Sequence, residues 1–124
     1  WDIRAATIEE LLAEHGMHDV NFVKIDIEAG EYVLIPAMYS YLKSYRPTLY
    51  LSFHPLFLSE HLRSASLQDA GGSMSGDPRT LTENVLAHLD FYKYIYDTAG
   101  NPVSKDDILN VPQFGQFVFT DERW

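Results

Sequence analysis

The chain has 124 residues, 46% of them apolar and 14% aromatic, which is one ordinary domain with enough apolar material for a core. That composition excludes whole-chain disorder. Nine basic residues against 18 acidic ones leave a net charge of −9, and cysteine is absent. So acidic a surface repels phosphate backbones and anionic membranes, and the missing thiols exclude a disulfide framework, a thiol nucleophile and a thiolate metal site.

The elements follow in chain order. Thr7 with Glu10 has the spacing of a capping box, Ile8, Leu11 and Leu12 share a helical face, and Gly16 supplies a stop. Residues 21–28 read N-F-V-K-I-D-I-E, with Val23, Ile25 and Ile27 alternating with polar residues, so a strand is expected. Gly30 opens a helical stretch over 31–45, which Pro36 is expected to kink or split into two short helices. Arg46-Pro47 ends it, because the residue before proline is pushed out of the α region. A second strand covers 48–54 and Pro55 breaks it. Residues 64–78, rich in Ser, Gly and Asp around Gly71-Gly72, read as a mobile loop. Thr80 and Glu83 offer another capping box, with Leu81, Val85 and Leu89 as a helical stripe. Strands are expected over 91–97 and 114–120, joined by a turn at 99–102. Tyr92, Tyr94 and Tyr96 would share one face of the former.

This order implies an α/β fold. Strands separated by helices favour parallel pairing through right-handed crossovers. The last two strands lack a strong intervening helix and can pair antiparallel, which makes the sheet mixed. No window holds the roughly 18 consecutive apolar residues of a membrane span. No basic segment followed by an apolar one opens the chain, so no secretory leader is visible and a cytoplasmic location is expected. The chain begins with Trp1 rather than Met, which reads as a processed chain or a piece of a longer one.

In open α/β sheets, ligands bind beyond the carboxyl ends of the strands. Asp26 and Glu28, two residues apart, are expected to leave one face there, and His54 ends the next strand. Three titratable groups would then converge on one rim, where a base can meet a hydroxyl. Each has a structural alternative. Glu28 can cap the following helix, Asp26 can pair with Lys24, and His54 can be a satisfied loop histidine. His54 and His61 lack zinc-site spacing, so no metal is expected. Neither a dinucleotide nor a P-loop glycine motif is present, and there is no G-x-S-x-G elbow.

The run F-V-K-I-D-I-E-A-G-E-Y-V-L-I-P-A over 22–37 resembles the K-I-D-[VI]-E-G-x-E segment of the FkbM-type S-adenosylmethionine-dependent methyltransferases. Arg46-Pro47, His54-Pro55, the helix T-I-E-E-L-L-A-E-H-G and the late run Y-K-Y-I-Y-D-T-A-G-N-P extend the likeness. It implies a class I, Rossmann-like methyltransferase sheet of which this chain holds the last four strands. Their implied spatial order is fourth, fifth, seventh, sixth, with the seventh antiparallel. The glycine-rich turn and the acidic residue that hold S-adenosylmethionine would lie upstream of Trp1. The whole of 1–124 then reads as the C-terminal, acceptor-side half, inactive in isolation. The resemblance implies O-methylation of a hydroxyl on a sugar or other small molecule. Asp26 would sit beside the transferring methyl, with Glu28 and His54 as base or substrate ligands. Ala29 stands where the family usually has glycine, in a turn that becomes less permissive.

Two further readings compete. One is a non-enzymatic binding or assembly module derived from the same fold. The other is a metal-dependent phosphotransfer domain using Asp26 and Glu28. A sheet cut before its fourth strand would also leave strand 21–28 as an open edge, so self-association through that edge is expected.

Overall fold

The computed structural model describes residues 3–68 and 76–124. Helix α1 (Ile8–His15) begins at Thr7, whose hydroxyl accepts from the Glu10 N–H while the Glu10 carboxylate accepts from the Thr7 N–H. This reciprocal pair satisfies two N–H groups that a helix start leaves bare. Gly16 closes the helix at φ 62, the left-handed cap expected there.

Strand β1 (Phe22–Ile25) is shorter than the alternation suggested. It stops because the chain turns at once: Glu28 and Ala29 take φ 49 and φ 80. Helices α2 (Glu31–Ala37) and α3 (Tyr39–Tyr45) are the two short helices expected around Pro36, with Met38 as the joint. Strand β2 (Thr48–Phe53) follows. Pro55 then opens helix α4 (Pro55–Gln68) rather than a loop, since the first helical position needs no N–H. The loop expected over 64–78 is therefore corrected at both ends. Residues 64–68 belong to α4, Pro78 opens α5 (Pro78–His88), and 69–75 lie outside the described residues.

The cap of α5 is not Thr80. Asp77 takes that role, accepting from the Thr80 N–H at 3.0 Å. Strand β3 (Tyr94–Asp97) and strand β4 (Gly115–Thr120) are separated by a short helix the sequence reading missed, α6 (Lys105–Leu109), which Ser104 and Asp107 cap reciprocally.

The fold is α/β with a four-stranded mixed sheet in the order β1-β2-β4-β3. β1 and β2 are parallel, and β4 runs antiparallel to both its neighbours, β2 and β3. One face of the sheet carries the core. Ile25, Leu49, Leu51, Phe53, Phe117 and Phe119 pack against Tyr32, Ile35, Leu42, Val85 and Leu86 of the helices. Each such side chain contributes roughly 1.5–3 kcal/mol on burial. Val118 and Tyr96 are buried outside that cluster, and Tyr96 stacks on Trp124 with ring centroids 5.1 Å apart. Tyr94 and Tyr96 share a face as expected, but Tyr92 precedes the strand and lies in the core, its hydroxyl donating to the Pro47 carbonyl at 2.5 Å. Among the described residues no helix is long and apolar enough to cross a membrane.

The rim at the amino ends of β1 and β2 is tied by Arg46. Its guanidinium donates to the Asp121 carboxylate and the Phe91 carbonyl and lies over the Phe91 ring, 5.1 Å from its centroid. The hydrogen bond from Arg46 holds the Asp121 carboxyl below its ordinary range. A carboxyl lowered by folding adds stability that is complete above its unfolded pKa, ~3.9, and is lost as pH falls through the folded value. Asp121→Ala is expected to cost about 1–2 kcal/mol in urea unfolding at pH 7. The variant should also lose part of the fall in stability below pH ~4, keeping what Asp77, Asp97 and Asp107, likewise held low by hydrogen bonds, contribute.

Among the described residues β1 ends the sheet with one side unpaired, and the side chains of Phe22 and Ile27 near it are exposed. Open edges of this kind template pairing with another chain. Light scattering at rising concentration should show association that Phe22→Glu weakens. A monodisperse monomer throughout would count against it.

Candidate functional site

The parallel pairing of β1 and β2, with Ile25 opposite Leu51, ends both strands on one rim. Asp26 is the first residue past β1, and His54 the first past β2. Turn 28–30 then reverses the chain, and α2 lies back across the core face. The turn is tight at Gly30: a Cβ there would stand 2.9 Å from Ile27 Cδ1 and 3.2 Å from the Ile27 carbonyl, so Ile27 would have to shift to admit one. Ala29, at φ 80, sits in the left-handed region with its methyl buried. That conformation costs roughly 1–2 kcal/mol relative to glycine.

His54 is the centre of the site. Its side chain is 6% exposed, with a carboxylate at each ring nitrogen. Nδ1 lies 3.1 Å from Glu31 Oε1, and Nε2 lies 3.4 Å from Asp26 Oδ1. The same Glu31 oxygen accepts from the His54 backbone N–H at 2.9 Å. Phe57 and Phe114 flank the imidazole, with ring centroids 5.7 and 5.0 Å from it, and both are partly exposed. The rim is therefore an ionisable ring set among aromatic side chains that face solvent.

Of the three residues expected here, the structure brings Asp26 and His54 together and leaves Glu28 apart. Asp26 is not enclosed in a buried strand. It lies past the strand end with its side chain 38% exposed, and Lys24 Nζ is 3.9 Å away. The Lys24–Asp26 pair thus exists as a loose surface contact, worth little by itself. Glu28 does not share a face with Asp26, because the strand has already ended and its own φ is positive. Nor does Glu28 cap α2, whose cap is Gly30 with no side-chain bond. It lines a separate cleft of about 200 Å³ with Ala29, Gly30, Val33 and His61. Among the described residues no three His, Asp or Glu side chains gather as metal ligands.

Glu31 is the residue the sequence reading missed. It is wholly buried, and its described hydrogen bonds both go to His54. An acidic residue in a first helical turn ordinarily reads as a complement to the helix dipole. A signal was available in its spacing, since Glu31 shares a buried stripe with Ile35, Met38 and Leu42. A carboxyl on an apolar face needs a partner.

Among the described residues two buried atoms here find none: Glu31 Oε2 and the Tyr32 hydroxyl. Burial pushes the Tyr32 phenol up to about 12. Thr82 lies close enough to offset part of that shift, though short of hydrogen-bond geometry, and its own hydroxyl donates to the Pro78 carbonyl.

No family model, curated protein or solved structure matches the chain.

An unpaired buried hydroxyl costs its desolvation and returns nothing. Tyr32→Phe is therefore expected to leave thermal stability unchanged or raise it. A loss of about 1 kcal/mol or more in chemical unfolding would mean that the phenol has a partner.

Proposed function

We propose that the chain is the acceptor-side half of an S-adenosylmethionine-dependent O-methyltransferase, acting on a hydroxyl of a sugar or another small molecule. The observation that carries this reading is His54, held at the carboxyl ends of two neighbouring parallel strands with a carboxylate at each ring nitrogen. The strand order β1-β2-β4-β3 with one antiparallel strand is also the order that the family resemblance implies. On this reading the residues that cradle the cofactor precede Trp1.

The rim offers a sulfonium cation the Asp26 carboxylate, which Lys24 neutralises only weakly from 3.9 Å in an exposed contact. Asp26 would face the sulfonium. When bound, S-adenosylmethionine supplies an electrophilic methyl group with a good leaving group already attached. This chain's residues must then align the acceptor and remove its proton. The acceptor hydroxyl sits between Nε2 of His54 and Asp26. Methyl transfer to its oxygen would release the hydroxyl proton, which Nε2 of His54 would take up. The imidazolium so formed lies between Glu31 and Asp26, two groups that favour the ring more once it carries charge. Phe57 and Phe114 offer apolar surface for the acceptor's carbon skeleton.

A second reading, a binding or assembly module without catalysis, is favoured by the open edge of β1. One experiment separates the two. The protein as isolated from its native cell is weighed intact and given methyl-labelled S-adenosylmethionine with a panel of sugars and small hydroxyl compounds. Methyl incorporation is expected, with His54→Gln lowering kcat by about 10²–10⁴ and Glu28→Gln having less effect. Incorporation into no acceptor, together with no binding of the cofactor, would remove the enzyme reading and leave the module.

A further inference from the structure

We infer that Glu31 is a positioning residue that sets the tautomer of His54, holding the proton on Nδ1 so that Nε2 faces Asp26 as the bare, proton-accepting nitrogen. The inference rests on the reading of His54 as the base, but its geometry is independent of any substrate. Glu31 Oε1 already accepts from the His54 backbone N–H at 2.9 Å, which leaves that oxygen an acceptor toward the ring as well. At 3.1 Å from it, Nδ1 must donate. A neutral imidazole carries one N–H, so Nε2 then presents its lone pair.

The opposite tautomer has an obvious attraction that Glu31 must overcome. Asp26 Oδ1 lies 3.4 Å from Nε2 and would accept a proton placed there. The two carboxylates therefore compete for the single ring proton, and position decides between them. Glu31 is fully buried and grips both the backbone and the ring of His54. Asp26 is 38% exposed, farther away and shared with Lys24. Water screens its pull, while the Glu31 contact acts in a medium of low dielectric.

Stability does not account for Glu31. A buried carboxyl with Oε2 unpaired is costly, and an apolar side chain of similar size generally packs in such a place at no loss. What Glu31 provides that an apolar residue cannot is a directed acceptor at Nδ1. The same arrangement of an orienting carboxylate and a histidine base operates in hydrolytic triads, where loss of the carboxylate charge with geometry intact leaves the wrong tautomer.

The test reads the ring directly. Histidine is labelled with ¹⁵N in the protein as it occurs natively, and the His54 ring signals are assigned by their loss in His54→Gln. Spectra are taken at the alkaline end of the ring's titration, with circular dichroism to establish that each variant is folded. The native protein is expected to show a protonated Nδ1 and a bare Nε2. Glu31→Gln, which removes the carboxylate charge and can turn an amide N–H toward Nδ1, should reverse that state, as should Glu31→Met, each moving the proton to Nε2 beside Asp26, and Asp26→Asn should leave it as in the native protein. A native ring protonated on Nε2 overturns the inference even if no variant folds. So does a tautomer that follows Asp26 rather than Glu31. The expected tautomers without methyl transfer would remove the proposed reaction and keep the positioning role.

Discussion

The rim chemistry depends on the parallel register of β1 against β2. Ile25 lies opposite Leu51, and both are buried on the core face. A slip of one residue would turn every apolar side chain of β1 to the other face, so burial holds the register. The strands run the same way, and β2 continues two residues past Leu51 to Phe53, so both chains emerge at one rim. Asp26 and His54 meet for that reason, although 28 positions separate them in the chain. Glu31 then arrives from a third direction, on the first turn of α2, once the turn at 28–30 has folded that helix back over the sheet.

The two ends of the sheet differ in how their polar groups are satisfied. At the amino ends of β1 and β2, Arg46 donates to both the Asp121 carboxylate and the Phe91 carbonyl, and the Tyr92 hydroxyl donates to the Pro47 carbonyl. At the carboxyl ends the buried polar groups are less well satisfied. Among the described residues Glu31 Oε2 has no hydrogen-bond partner, and the Tyr32 hydroxyl has Thr82 nearby but short of hydrogen-bond geometry. Positive φ occurs at both ends, at Glu28 and Ala29 on one side and at Arg46 on the other, and the surrounding packing holds it there. The core of Leu49, Leu51, Phe53, Phe117 and Phe119 is what supports that load.

Local signals were read well where the physics is local. The Thr7 box, the Gly16 stop and the division of 31–45 at Pro36 each follow from a few neighbouring residues, and each is present. Signals failed where a second local arrangement competed. Asp77 displaced Thr80 as a cap because a proline follows it and aspartate accepts more strongly. Pro55 read as a strand breaker and is also a helix start. The alternation promised three further residues of strand beyond Ile25, to Glu28, but the turn at 28–30 leaves β1 ending at Ile25.

The amino-acid sequence by itself determined an acidic, cysteine-free α/β chain with four strands, and it marked Asp26 and His54 as residues at strand ends. Those properties come from composition and short-range periodicity, which are set by neighbouring residues along the chain. Only the tertiary structure decided which ionisable groups work together. It separated Glu28 from Asp26 by ending a strand early, and it joined Glu31 to His54 through hydrogen bonds spanning 23 residues of chain. A hydrogen bond is settled by distance and direction in space, and the packing of α2 on the sheet sets both.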